Sequence, residues 1–134
     1  MTKSSENVAP EMSVAQQRKA FKAALIARFP NLKCGLRAHG RAGYILAVCT
    51  KASGFNRVCS LEVEQVYSSA SGTRIDVAYF GYGKRSKCLG RASGSSLEEA
   101  VAALKASMSD DGKQSAKFYG SLEPVAIPKE KWGQ

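Results

Sequence analysis

Over residues 32–82 the apolar side chains recur mainly at every second position, a rhythm that lines one face of a β-strand and does not fit a helix. Leu32, Cys34, Leu36 and Ala38 fall on one side, and Lys33, Gly35, Arg37 and His39 on the other. Gly40-Arg41-Ala42-Gly43 reads as a turn, followed by an apolar strand over 44–51 and a second turn at Ser53-Gly54-Phe55-Asn56. The next strand alternates Cys59, Leu61 and Val63 with Ser60, Glu62 and Glu64. After a hairpin loop over 68–72, Ile75, Val77 and Tyr79 alternate with Arg74, Asp76, Ala78, Phe80 and Tyr82. A short fifth strand is expected over 87–91.

Helical signals bracket these strands. Ser13 with Gln16 three residues on forms a capping box, and Pro30 disfavours helical geometry at Phe29. Between them Phe21, Ala24, Leu25 and Phe29 make an apolar stripe. A second helix starts at Ser96, with Glu99 closing its box, carries Leu97, Val101, Leu104 and Met108, and is expected to stop at Asp110-Asp111-Gly112. With one apolar face per helix, both should cover the same side of the sheet. The expected fold is α+β: a four- or five-stranded antiparallel sheet, an N-terminal and a C-terminal helix packed on one face, and the other face open. The 134 residues suffice for one domain. The division expected is a flexible arm over 1–12, the domain over 13–112 and an extended tail over 113–134.

Charge is distributed unevenly along this plan. Residues 18–91 hold fourteen Lys and Arg against three acids, Glu62, Glu64 and Asp76, so the formal net charge of +9 lives in the middle of the chain. Such a surface repels itself and is tolerated most readily where a polyanion binds. The longest apolar run, Tyr44-Ile45-Leu46-Ala47-Val48-Cys49, is far short of the ~20 residues of a membrane span. The first residues lack the apolar core of a signal peptide, so the protein is expected in the cytoplasm, the host's if it is viral. Cys34, Cys49, Cys59 and Cys88 are too widely spaced for a zinc pattern and read as reduced structural cysteines. Gly81-Tyr82-Gly83 lacks the third glycine and the helix of a dinucleotide fingerprint, and no phosphate-binding loop or HExxH is present. His39 has no nucleophile or carboxylate near it in sequence. No catalytic residue, metal or cofactor is expected, and the chain reads as a binding protein rather than an enzyme.

An open sheet face that mixes cations with rings suits single-stranded nucleic acid: cations follow phosphates and unpaired bases stack on aromatic side chains. Lys33, Arg37 and Arg74 should lie on that face with Phe80 and Tyr82, two residues apart on one strand. Arg41 belongs to a second basic cluster at a strand end, and Lys84, Arg85 and Lys87 to the densest basic run, the loop after Tyr82. The acids of the third strand oppose phosphate on part of the face. Single-stranded DNA is the expected partner, with RNA second. A basic module or phage-type inhibitor docking on an acidic host protein is the alternative, since either surface attracts cations. An exposed edge strand could also pair with a second copy.

Two resemblances add to this. The helix–strands–helix layout, with Gly90-Arg91-Ala92-Ser93-Gly94-Ser95-Ser96 leading into an Ala-rich last helix, resembles the double-stranded-RNA-binding domain. In that family lysines at the start of the last helix grip phosphate; here the positions hold Ser95, Ser96, Glu98 and Glu99. In size, basic middle and appended tail the chain is similar to the small single-stranded-DNA-binding cofactors of some lytic phages. That resemblance implies binding of locally melted promoter DNA and recruitment of an RNA polymerase. In the tail, Phe118 and Tyr119 are expected to dock on the domain, and Trp132 to stay available for a partner. Removing residues 121–134 should then leave the fold intact.

Overall fold

The computed structural model describes residues 13–37, 43–82 and 87–128. The order is α1 (Val14–Arg28), β1 (Lys33–Leu36), β2 (Tyr44–Ser53), β3 (Asn56–Ser68), β4 (Gly72–Gly81), β5 (Lys87–Gly94), α2 (Leu97–Ser107) and α3 (Asp110–Tyr119). The strands form one antiparallel sheet in sequence order. The fold is α+β as expected, with one helix more among the described residues. No helix among the described residues is long and apolar enough to cross a membrane. The expected arm over 1–12 lies outside the described residues.

α1 begins where its capping box says it should: Gln16 N donates to Ser13 Oγ at 3.0 Å and Ser13 N to Gln16 Oε1 at 2.9 Å. It ends with Phe29 N donating to Leu25 O, just before Pro30. Phe21, Leu25 and Phe29 are buried, while Ala24 is exposed. The helix lies along the edge strand β1, so only a narrow stripe at four-residue spacing is covered.

Cross-strand partners share a face, so the register sorts the sheet into two sides. One side stacks Cys34, Cys49, Leu61 and Tyr79 in one row and Ala47, Val63 and Val77 in the next. These residues form the core. The three helices of the described residues all pack there. Cys34 Sγ reaches Leu25 O of α1, Ser115 Oγ of α3 bonds Tyr79, and α2 presses on β5 through two glycines. A Cβ on Gly94 would stand 2.6 Å from Ala100 N, and one on Gly90 2.7 Å from Met108 Cγ. Only the missing side chains let α2 come this close.

The thiols of Cys34, Cys49 and Cys59 are free and buried, and that of Cys88 is free and exposed. Cys34 and Cys49 face each other across β1 and β2. The hydrogen bond to Cys34 and burial together push the Cys49 thiol well above its ordinary range.

The C-terminal region corrects the sequence expectation. Asp110-Asp111-Gly112 does not end the second helix; it is the first turn of α3. Ser109 caps it, accepting from Gly112 N at 3.1 Å, and the two aspartates favour its positive end. Gly112 is a packing residue, since a Cβ there would lie 3.0 Å from Leu89 Cβ. The expected extended tail from Lys113 is therefore helical to Tyr119. Glu99, expected to bond back to its own cap, instead accepts from Ser95 N at 3.1 Å and Ser95 Oγ at 3.0 Å. Those donors lower its pKa.

From Ser121 to Ile127 the chain docks on its own domain. Ser121 and Leu122 are buried, and Ser121 Oγ bonds both Tyr79 Oη (2.9 Å) and Cys59 Sγ (3.2 Å). Burial raises the Tyr79 pKa, so its hydroxyl stays protonated as the hub of this network. Removal of residues 121–134 would take Leu122 out of the core and break the bond from Ile127 N to Asn31, so that cut is expected to destabilise the fold rather than spare it.

Asn31 pins the same segment. Its Nδ2 donates to Gly120 O and Val125 O, both at 2.9 Å, and its Oδ1 accepts from Ile127 N at 2.8 Å. Asn31→Ala should cost about 1–3 kcal/mol, because three hydrogen bonds to backbone groups are lost at once. Urea unfolding would give the loss, and limited proteolysis should show new cleavage within 121–128. Unchanged protease resistance would refute the clamp.

Candidate nucleic-acid interface

The opposite side of the sheet carries no helix among the described residues. Its rows are read across the ladder: Thr50, Ser60, Phe80 and Cys88; Val48, Glu62, Ala78 and Arg91; Leu46, Glu64, Asp76 and Ser93; Tyr44, Val66 and Arg74. At one end of this face two rings each meet a guanidinium. Arg91 Cζ stands 5.9 Å from the Phe80 ring centroid, and Arg57 Cζ 5.5 Å from that of Tyr82. The Tyr82 hydroxyl is 3.0 Å from Ser60 Oγ and 3.4 Å from Arg57 Nη1, which fixes the ring over the sheet. Ser60 and Ala78 are buried although no helix among the described residues covers them. Small residues thus underlie a layer of rings and cations, a surface that offers flat faces for stacking and charge beside them.

The middle of the face is acidic. Glu64 and Asp76 stand directly opposite each other on β3 and β4. Their repulsion is relieved locally: Tyr44 Oη donates to Glu64 Oε2 at 2.6 Å, and Arg74 Nε to both carboxylate oxygens of Asp76 at 3.2 Å. Arg74, expected to meet a phosphate, is thus engaged with a carboxylate. It also lies six residues, about 20 Å, along the sheet from the Phe80 row.

The expected site residues therefore separate. Phe80 and Tyr82 are at one end. Lys33, exposed on β1, shares their row three strands away, about 14 Å. Arg37, exposed just after β1, lies toward the acidic rows; its N–H donates to Leu46 O and its carbonyl accepts from Arg18 Nη2 at 2.7 Å. Lys87 pairs with Gly81, in the row that points to the helix side, and does not join Phe80. Arg41, His39, Lys84, Arg85 and Trp132 lie outside the described residues.

Arg57 and Arg91, absent from the expected site, stand against its two rings, and the reason they escape a reading by alternation is physical. Lys51 pairs with Cys59 but Ala52 with Arg57, so Val58 is an extra residue in a bulge. Tyr79 pairs with Gly90 but Phe80 with Cys88, so Leu89 is another. Each bulge reverses the parity of the positions beyond it and turns an arginine onto the helix-free face. Simple alternation puts Arg57 with Cys59 and Arg91 with Leu89, on the core side. A third feature at this end is Phe55, wholly exposed at the tip of the β2–β3 turn, where Gly54 takes a positive φ of 64°.

Among the described residues no three His, Cys, Asp or Glu side chains gather where a metal ion could sit. Comparison with protein-family models, with curated proteins and with solved structures finds no match to this chain.

Proposed function

We propose that this protein binds single-stranded DNA, with little sequence preference, on the helix-free face of its sheet. The observation that carries the reading is the pairing of the two rings at one end of that face with a guanidinium each, Phe80 with Arg91 and Tyr82 with Arg57. Unpaired bases stack on the rings whatever their identity, while the arginines meet the phosphates between them. Glu62, Glu64 and Asp76 repel phosphate from the middle of the face, so the strand is held at the Phe80 end and leaves over the sheet's edge. In the phage setting that the resemblance implies, such a site would hold locally melted promoter DNA while a polymerase is recruited.

Fluorescence anisotropy with single-stranded DNA, duplex DNA and single-stranded RNA tests this. Single-stranded DNA should bind tightest. For about four phosphate contacts, its affinity should fall about 50-fold between about 50 and 200 mM salt. Equal affinity for all three probes would reduce the interaction to general electrostatics. No binding at low salt, with a stoichiometric protein captured from nuclease-treated lysate, would favour docking on an acidic protein instead.

A further inference from the structure

Around the sheet's edge from Tyr82, on the helix side, an open groove of about 540 Å³ separates α3 from the ends of β3, β4 and β5. Val58 and Leu89, the two bulge residues, contribute apolar surface to it, and Phe118 and Tyr119 of α3 supply rings. Those rings meet edge to face, 4.8 Å apart at an interplanar angle of 82°, yet Phe118 stays 51% exposed. Lys87 lines the groove beside β4, and Asp111 and Gln114 line it from α3. Ser115, which also lines it, already bonds Tyr79.

Three properties identify an occupant. The volume lies within the range of small-molecule sites. Apolar surface and an exposed ring suit a flat heteroaromatic group, and the Gln114 amide with the Asp111 carboxylate can meet its polar edge. Lys87 gives one cation for an attached phosphate, at the wall nearest Tyr82 in sequence. Tyr82 lines the groove and also bonds Ser60 on the helix-free face, so the two surfaces are continuous.

We propose that this groove takes one unstacked nucleobase of the bound strand after it passes Tyr82, with the phosphate attached to that nucleotide held by Lys87. The inference rests on the single-strand reading above.

The test uses the full chain and a 15-residue oligothymidylate carrying 5-iodouracil. Anisotropy gives affinity, and photo-cross-linking with mass spectrometry gives the residues reached. Phe118→Ala should weaken binding about tenfold, and Phe118→Tyr, which keeps a ring, should restore it. Cross-links should reach Phe118 or Tyr119 as well as Phe80 or Tyr82. Should Phe118→Ala melt at a lower temperature, Lys87→Gln and the cross-link map take its place, since Lys87 is exposed.

Unchanged affinity in these variants, with cross-links confined to Phe80 and Tyr82, would overturn the groove and leave the sheet face standing. Loss at Phe118 without loss in Phe80→Ala would keep the groove and overturn the face. No binding of the oligomer would overturn both.

Discussion

Leu104→Ala should lower the unfolding free energy by about 3–5 kcal/mol, the upper part of the range for a fully buried leucine. Leu104 has no exposed surface and lies in the middle of α2, between Val101 and Met108 on the buried stripe. Beneath it is Gly90; a Cβ there would be 3.2 Å from Leu104 Cδ1. The glycine has no side chain to move into the space, and the sheet backbone cannot rise to fill it. The cavity should therefore persist, and the cavity contribution adds to the lost transfer free energy. Urea titration would show the midpoint falling with an unchanged slope. Leu97→Ala, at the half-buried start of the same helix, should cost about 1 kcal/mol and serves as the control. A loss below about 1 kcal/mol at Leu104 would mean that α2 is not seated on β5 as described.

The second large effect concerns the rings. Phe80→Ala and Tyr82→Ala should each weaken single-stranded DNA binding about tenfold, and more where the strand is held by few other contacts. The two rings occupy one end of one face, so their losses should not add fully. Tyr82→Phe separates stacking from placement: it keeps the ring but gives up the bonds to Ser60 and Arg57, and should lose less than Tyr82→Ala. Duplex DNA, whose bases are already stacked, should lose little in any of these variants. If Phe80→Ala and Tyr82→Ala left single-strand affinity unchanged while salt still abolished it, the binding would be electrostatic and the rings structural.

Much of the scaffold was legible from local chemistry. Ser13 with Gln16 marks the start of α1, Pro30 its end, and Ser96 the start of α2, because caps and proline act within one turn of chain. The first turn of α3 carried a similar signal in Ser109-Asp110-Asp111, obscured by Gly112. That glycine weakens a helix in isolation, and is required only because Leu89 presses on it. The docking of residues 120–128 had no local signal, since Asn31 and Arg28, which hold them, lie about ninety residues away.

The candidate site divides along the same line. Alternation in β4 puts Phe80 on the face opposite Ile75, Val77 and Tyr79, and this needs nothing beyond the two-residue period of a strand. The sequence by itself thus determined the elements up to α2, the two sides of the sheet and the presence of rings on the open one. Which cations meet those rings was decided by the tertiary structure. Parity holds only while a ladder is unbroken, and a bulge is set by what the neighbouring strand and the packed helices require. The extra residues at Val58 and Leu89 turn Arg57 and Arg91 onto the rings and leave Lys87 on the groove side. Arg74 is drawn to Asp76, its neighbour on the same face, far along the sheet from Phe80. Charge in the sequence counts cations; only the register of paired strands assigns each one a face and a distance.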